Sequence, residues 1–191
     1  MAAVLVEYLD AAEPLSFEDV AAQARIDGEE ERDFVESVVI PGARQAAETK
    51  TGAAIRKARY IERLPAFPAG DFPLSIGQVT AVDSVTWRSA SGDTLVLDPS
   101  LYEVIQEGRE TRLAPIGTTP WPNASAVTIT YQAGADLAHF PTVRSWMLLA
   151  AGWAYDQREL FALAQGRQAI EEMPSGFADA LLAPITVPPR F

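Results

Sequence analysis

The chain has 191 residues, 15 Lys plus Arg against 26 Asp plus Glu, a net charge of -11, and no cysteine. The acidic balance argues against a protein that holds duplex nucleic acid by neutralising phosphates, and the missing thiols exclude disulfides and thiolate metal sites. The length allows one domain, or one domain carrying a lobe, with a sizeable core.

Residues 1–15 read as a weakly apolar lead with an early Glu7. They lack the basic region and cleavage pattern of a signal peptide, so the default address is the cytoplasm. Ser16, with Asp19 three residues on, offers a capping box for a helix from Phe17 to about Arg25 that buries Val20, Ala21 and Ala24. Asp27-Gly28 stops it. Glu29, Glu30 and Glu31 suit the positive end of a second helix, which carries Phe34, Val35, Val38, Val39, Ala43, Ala46 and Ala47 and ends near Thr51-Gly52. Pro41 falls inside this helix, and an interior proline costs about 3 kcal/mol or more, so a kink or break is expected near Ile40.

From Ala54 to Ala133 the apolar period changes from 3.6 to 2. Tyr60, Glu62 and Leu64 mark a first strand, and Phe72 to Ile76 a second that Pro73 assigns to an edge. Val82 to Trp87 pairs through Ser91-Gly92-Asp93 with Thr94 to Leu97. Asp98-Pro99-Ser100 turns the chain into Tyr102 to Gln106, and Glu107-Gly108-Arg109 returns it along Thr111 to Ala114. Residues 115–125 have no period. Val127, Ile129 and Tyr131 then alternate with Thr128, Thr130 and Gln132, the clearest half-buried strand in the sequence.

Pro141 to Leu163 is the longest stretch of helical period, and Pro141 suits its first turn. Val143, Trp146, Met147, Ala150, Trp153, Ala154 and Phe161 share one stripe. Leu148, Leu149 and Leu160 lie off it, so the helix needs a second cover, from this chain or from another subunit. Arg144 and Asp156 interrupt the run short of the roughly 20 apolar residues of a membrane span. A turn at Met173-Pro174-Ser175-Gly176 leads to a last helix, Phe177 to Leu182, and the prolines of residues 184–191 dictate an extended arm. The expected fold class is α+β: about four helices (1–53 and 137–183), a mostly antiparallel β lobe inserted between them (54–136), and the C-terminal arm (184–191).

Chemistry-bearing patterns are sparse. His139 is the only histidine, so a nucleophilic or metal-dependent enzyme would have to use it with a carboxylate such as Asp136, with Ser125 or Ser145 as partner. Neither serine lies in a nucleophile-elbow sequence, and no HExxH, calcium loop or phosphate-binding glycine loop is present. The acids Glu29 to Glu31 and Asp33 fit a helix start better than a cation site. Lys50, Arg56, Lys57, Arg59 and Arg63 are read as a solvated or protein-facing edge rather than a nucleic-acid contact. Trp121, flanked by prolines, is a candidate partner anchor.

Taken in order, LSFEDVAAQARIDGEEERDFVESVV, GARQAAETKTGAAI, VDSVTWRSASGDTLVLDPSLYEV, VTITYQAGAD with FPTVRSWMLLAAGWAYDQRE, and PSGFADALLAPITV span about residues 15–187. In their order and spacing the chain resembles the head-tail connector, or adaptor, proteins of long-tailed bacteriophages and phage-like particles. It departs from them at Pro41, inside a helix usually continuous in that family. The resemblance implies a non-enzymatic virion protein of the neck, present in the host cytoplasm during assembly. It implies a homo-oligomeric ring of about a dozen subunits, closed by one heterologous interface. The partners implied are the portal protein and a stopper or tail-completion protein, with DNA passing through unbound and no cofactor, metal or membrane. On this reading the subunit interface uses Trp146, Leu149, Trp153, Leu160, Phe34 and Val38, and the portal or partner contact uses Ile185, Val187, Pro188, Arg190, Phe191 and Trp121. The alternatives are a stopper or tail-completion protein of the same neck and, from another class, the His139 enzyme.

Overall fold

Alternation at period 2 builds the strand-rich part of the molecule. The computed structural model describes residues 3–117, 119–162 and 175–189. Its fold is α+β, and the chain divides into two units: Met1–Ala11, Gly52–Ala135 and Ile185–Phe191 in one, Ala12–Thr51 and Asp136–Pro184 in the other.

In the first unit, β1 (Val4–Tyr8), β2 (Ala58–Leu64), β8 (Ala126–Ala133), β4 (Val79–Arg88) and β5 (Thr94–Val96) lie side by side in that order. A second sheet has the order β3 (Phe72–Pro73), β7 (Glu110–Pro115), β6 (Tyr102–Glu107). All strand pairs are antiparallel. Val127, Ile129, Tyr131 and Ala133 of β8 all point inward, where they meet Ala58 and Tyr60 of β2, Val79 and Val85 of β4, and Phe72, Tyr102 and Leu113 of the second sheet. One apolar core thus serves both sheets, as each sheet's inner face must be covered.

Glu62 shares the inward face of β2 and is buried. Its carboxylate accepts from the Ser75 backbone N–H at 2.8 Å, the Ser75 hydroxyl at 2.5 Å and the Tyr131 hydroxyl at 3.2 Å. A buried charge is tolerable only when its lone pairs are met, and these three donors meet them. Burial, and next the Glu62 charge, push the Tyr131 phenol well above its usual range, so it stays a donor.

In the second unit, α1 (Phe17–Ala24) begins with the capping box expected at Ser16 and Asp19. It ends at Arg25, whose φ of 54° is the left-handed conformation that closes helices. The second helix starts at Arg32 rather than at the three glutamates and runs as α2 (Arg32–Phe34), a π turn (Val35–Val39) and α3 (Ile40–Thr51). The chain does not break at Pro41. The Ile40 N–H reaches back to the Val35 carbonyl, an i→i+5 bond of the wider π turn, and this is where the helix absorbs the ring and lost donor of Pro41.

The long helix α4 (Pro141–Ala162) buries Val143, Trp146, Met147, Ala150, Ala151 and Tyr155. It packs within its own unit against α1, the π turn, α3 and α5 (Ser175–Leu182). Its second cover is therefore largely its own chain, which explains the apolar character on more than one side. Arg144 of α4 reaches Asp19 at 2.6 Å. Arg44 of α3, itself buried, holds Glu13 with Nε at 2.7 Å and Nη2 at 3.3 Å, and Glu48 with Nη1 at 2.7 Å.

Several expectations need correction. Residues 4–8 are a strand and not a featureless lead, because β2 offers them a pairing edge. The strand expected over 72–76 is only Phe72–Pro73; the Leu74 N–H still reaches the Thr111 carbonyl, but the Ser75 N–H goes to the Glu62 carboxylate and not to a ladder. Asp98-Pro99-Ser100 opens a 3-10 turn (Pro99–Leu101), with the Asp98 side chain accepting from the Ser100 N–H at 2.9 Å. The Phe161 side chain, the turn at Met173-Pro174 and the Phe177 side chain lie outside what the structure describes.

Two tests follow from these polar anchors. Glu62→Ala removes the acceptor for buried donors and should cost about 1–3 kcal/mol for each bond lost, whereas Glu62→Gln should cost less; thermal melts compare them. Burial raises the Asp19 pKa, but the Ser16 N–H and then Arg144 outweigh it and hold the carboxyl below its ordinary 3.8. A depressed folded pKa means stability that is full above 3.8 and is lost as pH falls through the folded value. The melting difference between the native chain and Asp19→Asn should therefore be constant above about pH 5 and shrink towards pH 3.

Candidate functional site

Most residues expected at a subunit interface are apolar, so what matters is which of them folding leaves outside. In the helical unit, Trp146 is buried and has no surface to offer a neighbouring subunit; its indole N–H finds no hydrogen-bond partner among the described residues. Phe34 and Trp153 are half-buried. Val38 and Leu149 remain 54% and 40% exposed, so these two carry the accessible apolar surface among the residues expected at an interface. The Leu160 side chain falls outside the described residues.

The C-terminal segment is not a free arm over its described length. Ile185 is fully buried. Val187 lies over the bridge between Ala53 and Gly77, with its Cβ 3.6 Å from the position a Cβ on Gly52 would take. A Cβ on Gly77 would come within 2.6 Å of Val187 Cγ2 and 3.2 Å of Ala53 Cβ, so the glycine makes the seat for this valine. Prolines suppress helix here, as expected, but of the aliphatic residues between them Ile185 is buried and Val187 half-buried. Pro188 is exposed. Arg190 and Phe191 fall outside the described residues.

Trp121 is half-buried and clasped by its own lobe. Its ring stacks on Phe67 at 4.9 Å with planes 6° apart and meets Phe72 at 5.6 Å, and its N–H donates to the Gly70 carbonyl at 2.6 Å. With Pro68, Pro120 and Pro122 it lines an open groove of about 480 Å³. The tryptophan fastens the aperiodic loop 115–125 to the β unit instead of standing free as an anchor.

The basic cluster is mostly absorbed by partners, and β2, where Arg59 and Arg63 lie, is not an edge because β1 covers it. Arg59 joins Glu7 and, at 3.0 Å, Asp83, and Asp83 also accepts from Gln132 at 2.7 Å. Arg56 donates to the Asp10 and Ala11 carbonyls and lies over the Tyr8 ring. Lys50 pairs with Asp179 at 3.1 Å. His139 Nδ1 is 2.8 Å from Asp136, whose other oxygen accepts from the Ala138 N–H. That backbone bond, then His139, holds the Asp136 carboxyl below its usual range, the chemistry of a loop turn at an exposed site. Ser145 donates to the Pro141 carbonyl of its own helix at 3.0 Å. Among the described residues no cluster of three His, Cys, Asp or Glu could hold a metal, and no helix is long and apolar enough to cross a membrane.

Sequence reasoning missed a further set of exposed aliphatics: Val4, Leu5 and Val6 in β1, Leu95 and Val96 in β5, and Leu101, Val104 and Ile116 around β6. The signal was present as short apolar runs, VLV and TLV, whose exposure on both faces only the sheet order reveals.

No family model matches the chain, and no curated protein is detectably similar in sequence. Solved structures are similar over its whole length. A chain in the neck of an empty gene transfer agent particle computed with C6 symmetry has a TM-score of 0.75 at 20% identity, covering 100% of this chain and 98% of that one. A chain in the virion of a native gene transfer agent particle scores 0.72 at 20% identity, with the same coverage. A chain in the neck of the native particle computed with C12 symmetry scores 0.69 at 19% identity. At these identities the likeness establishes a shared fold.

The docking of the C-terminal segment is testable. Ile185→Ala should cost about 2–5 kcal/mol, Gly77→Ala about 1–3 kcal/mol by overpacking the valine seat, and Pro188→Ala close to nothing. Chemical denaturation of the three variants checks that order.

Proposed function

We propose that this protein is a structural component of the neck of a phage-like particle: a head-tail connector that closes into a ring between the portal and the tail-side parts. The observation that carries this reading is the full-length fold likeness to gene transfer agent neck chains, at a TM-score of 0.75 with 100% and 98% of the two chains covered. Support comes from the same order of sequence phrases that resembles the adaptor proteins, and from the aliphatic side chains left exposed among the described residues.

The ring reading draws on the C6 and C12 symmetry of the neck structures that share the fold. Cyclic symmetry asks each copy for two different, complementary surfaces. In the helical unit Val38 and Leu149, flanked by Phe34 and Trp153, are the residues left to contribute to one of them. A net charge of -11 suits a conduit that repels passing DNA and does not grip it. The portal contact falls to the chain from Pro188 onward, because Ile185 and Val187 are committed to the β unit. A stopper or tail-completion protein would share these properties and differ in its partner.

The solution mass of the purified chain across a wide concentration range, with negative-stain images, tests the class. The expected result is a closed ring of about a dozen copies that co-purifies with a portal protein, and loses the portal but not the ring when residues 188–191 are removed. A monomer at every concentration that fails to join a portal would overturn the reading; a ring that joins only a tail-side component would make it a stopper.

A further inference from the structure

Exposed sheet edges are templates for further strands, and proteins guard them with charge, proline or cover. The three-stranded sheet follows that rule: β3 at one edge contains Pro73, and β6 at the other carries Glu103, Gln106 and Glu107. The five-stranded sheet relies on weaker guards, the shortness of β5 and one register irregularity in β1. Its edges, β1 and β5, contain no Lys, Arg or Pro, and among the described residues no strand covers either outer side. Val4, Leu5 and Val6 are 57%, 40% and 50% exposed, and Leu95 and Val96 are 43% and 71% exposed. The single acid of β1, Glu7, is taken by Arg59. The register shifts between Leu5 and Glu7, and the exposed aliphatic stretch of β1, Val4–Val6, equals the three residues of β5 in length.

We infer that the β1 edge of one copy pairs with the β5 edge of the next, so that the five-stranded sheet continues from subunit to subunit. This rests on the ring reading above and names one of its contacts. Strand direction supports it. Each neighbour in the order β1-β2-β8-β4-β5 is antiparallel, so β1 and β5 run the same way. Repetition of the sheet about an axis along its strands keeps that direction, so β5 meets the next β1 as a parallel pair using both open edges. A two-fold arrangement would instead set β1 against β1, antiparallel, and stop at a dimer with β5 still bare. The occupant is therefore a second copy of this chain, joined head to tail.

The test exploits the absence of native cysteine. Chains carrying one cysteine at position 4, 5 or 6 and one at 94, 95 or 96 are oxidised at high concentration and run without reductant. Within one chain these sites lie four strand spacings apart, about 19 Å, beyond the roughly 7 Å that a disulfide spans. At least one pair should give a covalent ladder beyond the dimer, while each single-cysteine chain stays monomeric. A single cysteine in β1 that yields dimers would overturn the head-to-tail arrangement. As an independent arm, Leu5→Lys with Val6→Lys, both at exposed positions, should leave the melting temperature within a few degrees and reduce the native assembly to monomers. If rings persist in that variant and no pair gives a ladder, the sheet-edge contact is wrong and the connector reading stands. If the native chain neither assembles nor cross-links, the edge pairing is overturned for the free chain, and co-purification with a portal decides the connector reading by itself.

Discussion

Everything in the β unit depends on the central position of β8. Its alternation of Val127, Ile129, Tyr131 and Ala133 with polar residues decides which face of the sheet is inside, and a slip of one residue would reverse it. Pairing with β2 on one side and β4 on the other transmits that choice to segments distant in sequence, from Arg88 opposite Ala126 to Ala58 opposite Ala133. Glu62 and Tyr131 meet on this inward face. Their bond serves as a register lock: shifted by one residue, the carboxylate would leave its hydroxyl and Ser75 behind.

The same sheet order explains what is left outside. A strand in the middle spends its backbone groups on both sides; a strand at the end spends half of them. β1 and β5 are the ends, both aliphatic, while the polar ladder of Glu7, Arg59, Asp83 and Gln132 covers the outer face between them. Glu7, Arg59 and Asp83 are paired on that face, and the two edges beside it expose aliphatic side chains.

The helical unit solves a different problem, how to hold a long apolar helix with short ones. α4 sits among α1, the π turn, α3 and α5, and polar contacts tie the unit together: Asp19 both caps α1 and holds Arg144 of α4, while Arg44 of α3 is buried between Glu13 and Glu48. Pro41 is accommodated by widening one turn, so the helical segment continues to Thr51 through a residue that would otherwise end it.

Elements written in local chemistry were legible in the sequence: the capping box at Ser16, the hairpin at Ser91-Gly92-Asp93, the alternation of β8, the start of α4 at Pro141. Each is set by dihedral preferences or by a period that neighbours in the chain impose. What needed the tertiary structure was the fate of segments whose local signal is neutral. Val4–Tyr8 becomes a strand only because β2 presents an edge, Val187 is seated only because Gly52 and Gly77 lack side chains beneath it, and Trp121 is fastened only because Phe67 and the Gly70 carbonyl lie opposite. The sequence determined the fold class and the main helices and strands by itself, since propensity and period act over a few residues. Which surfaces remained open was decided by pairings across long stretches of chain, and a one-dimensional period cannot report those.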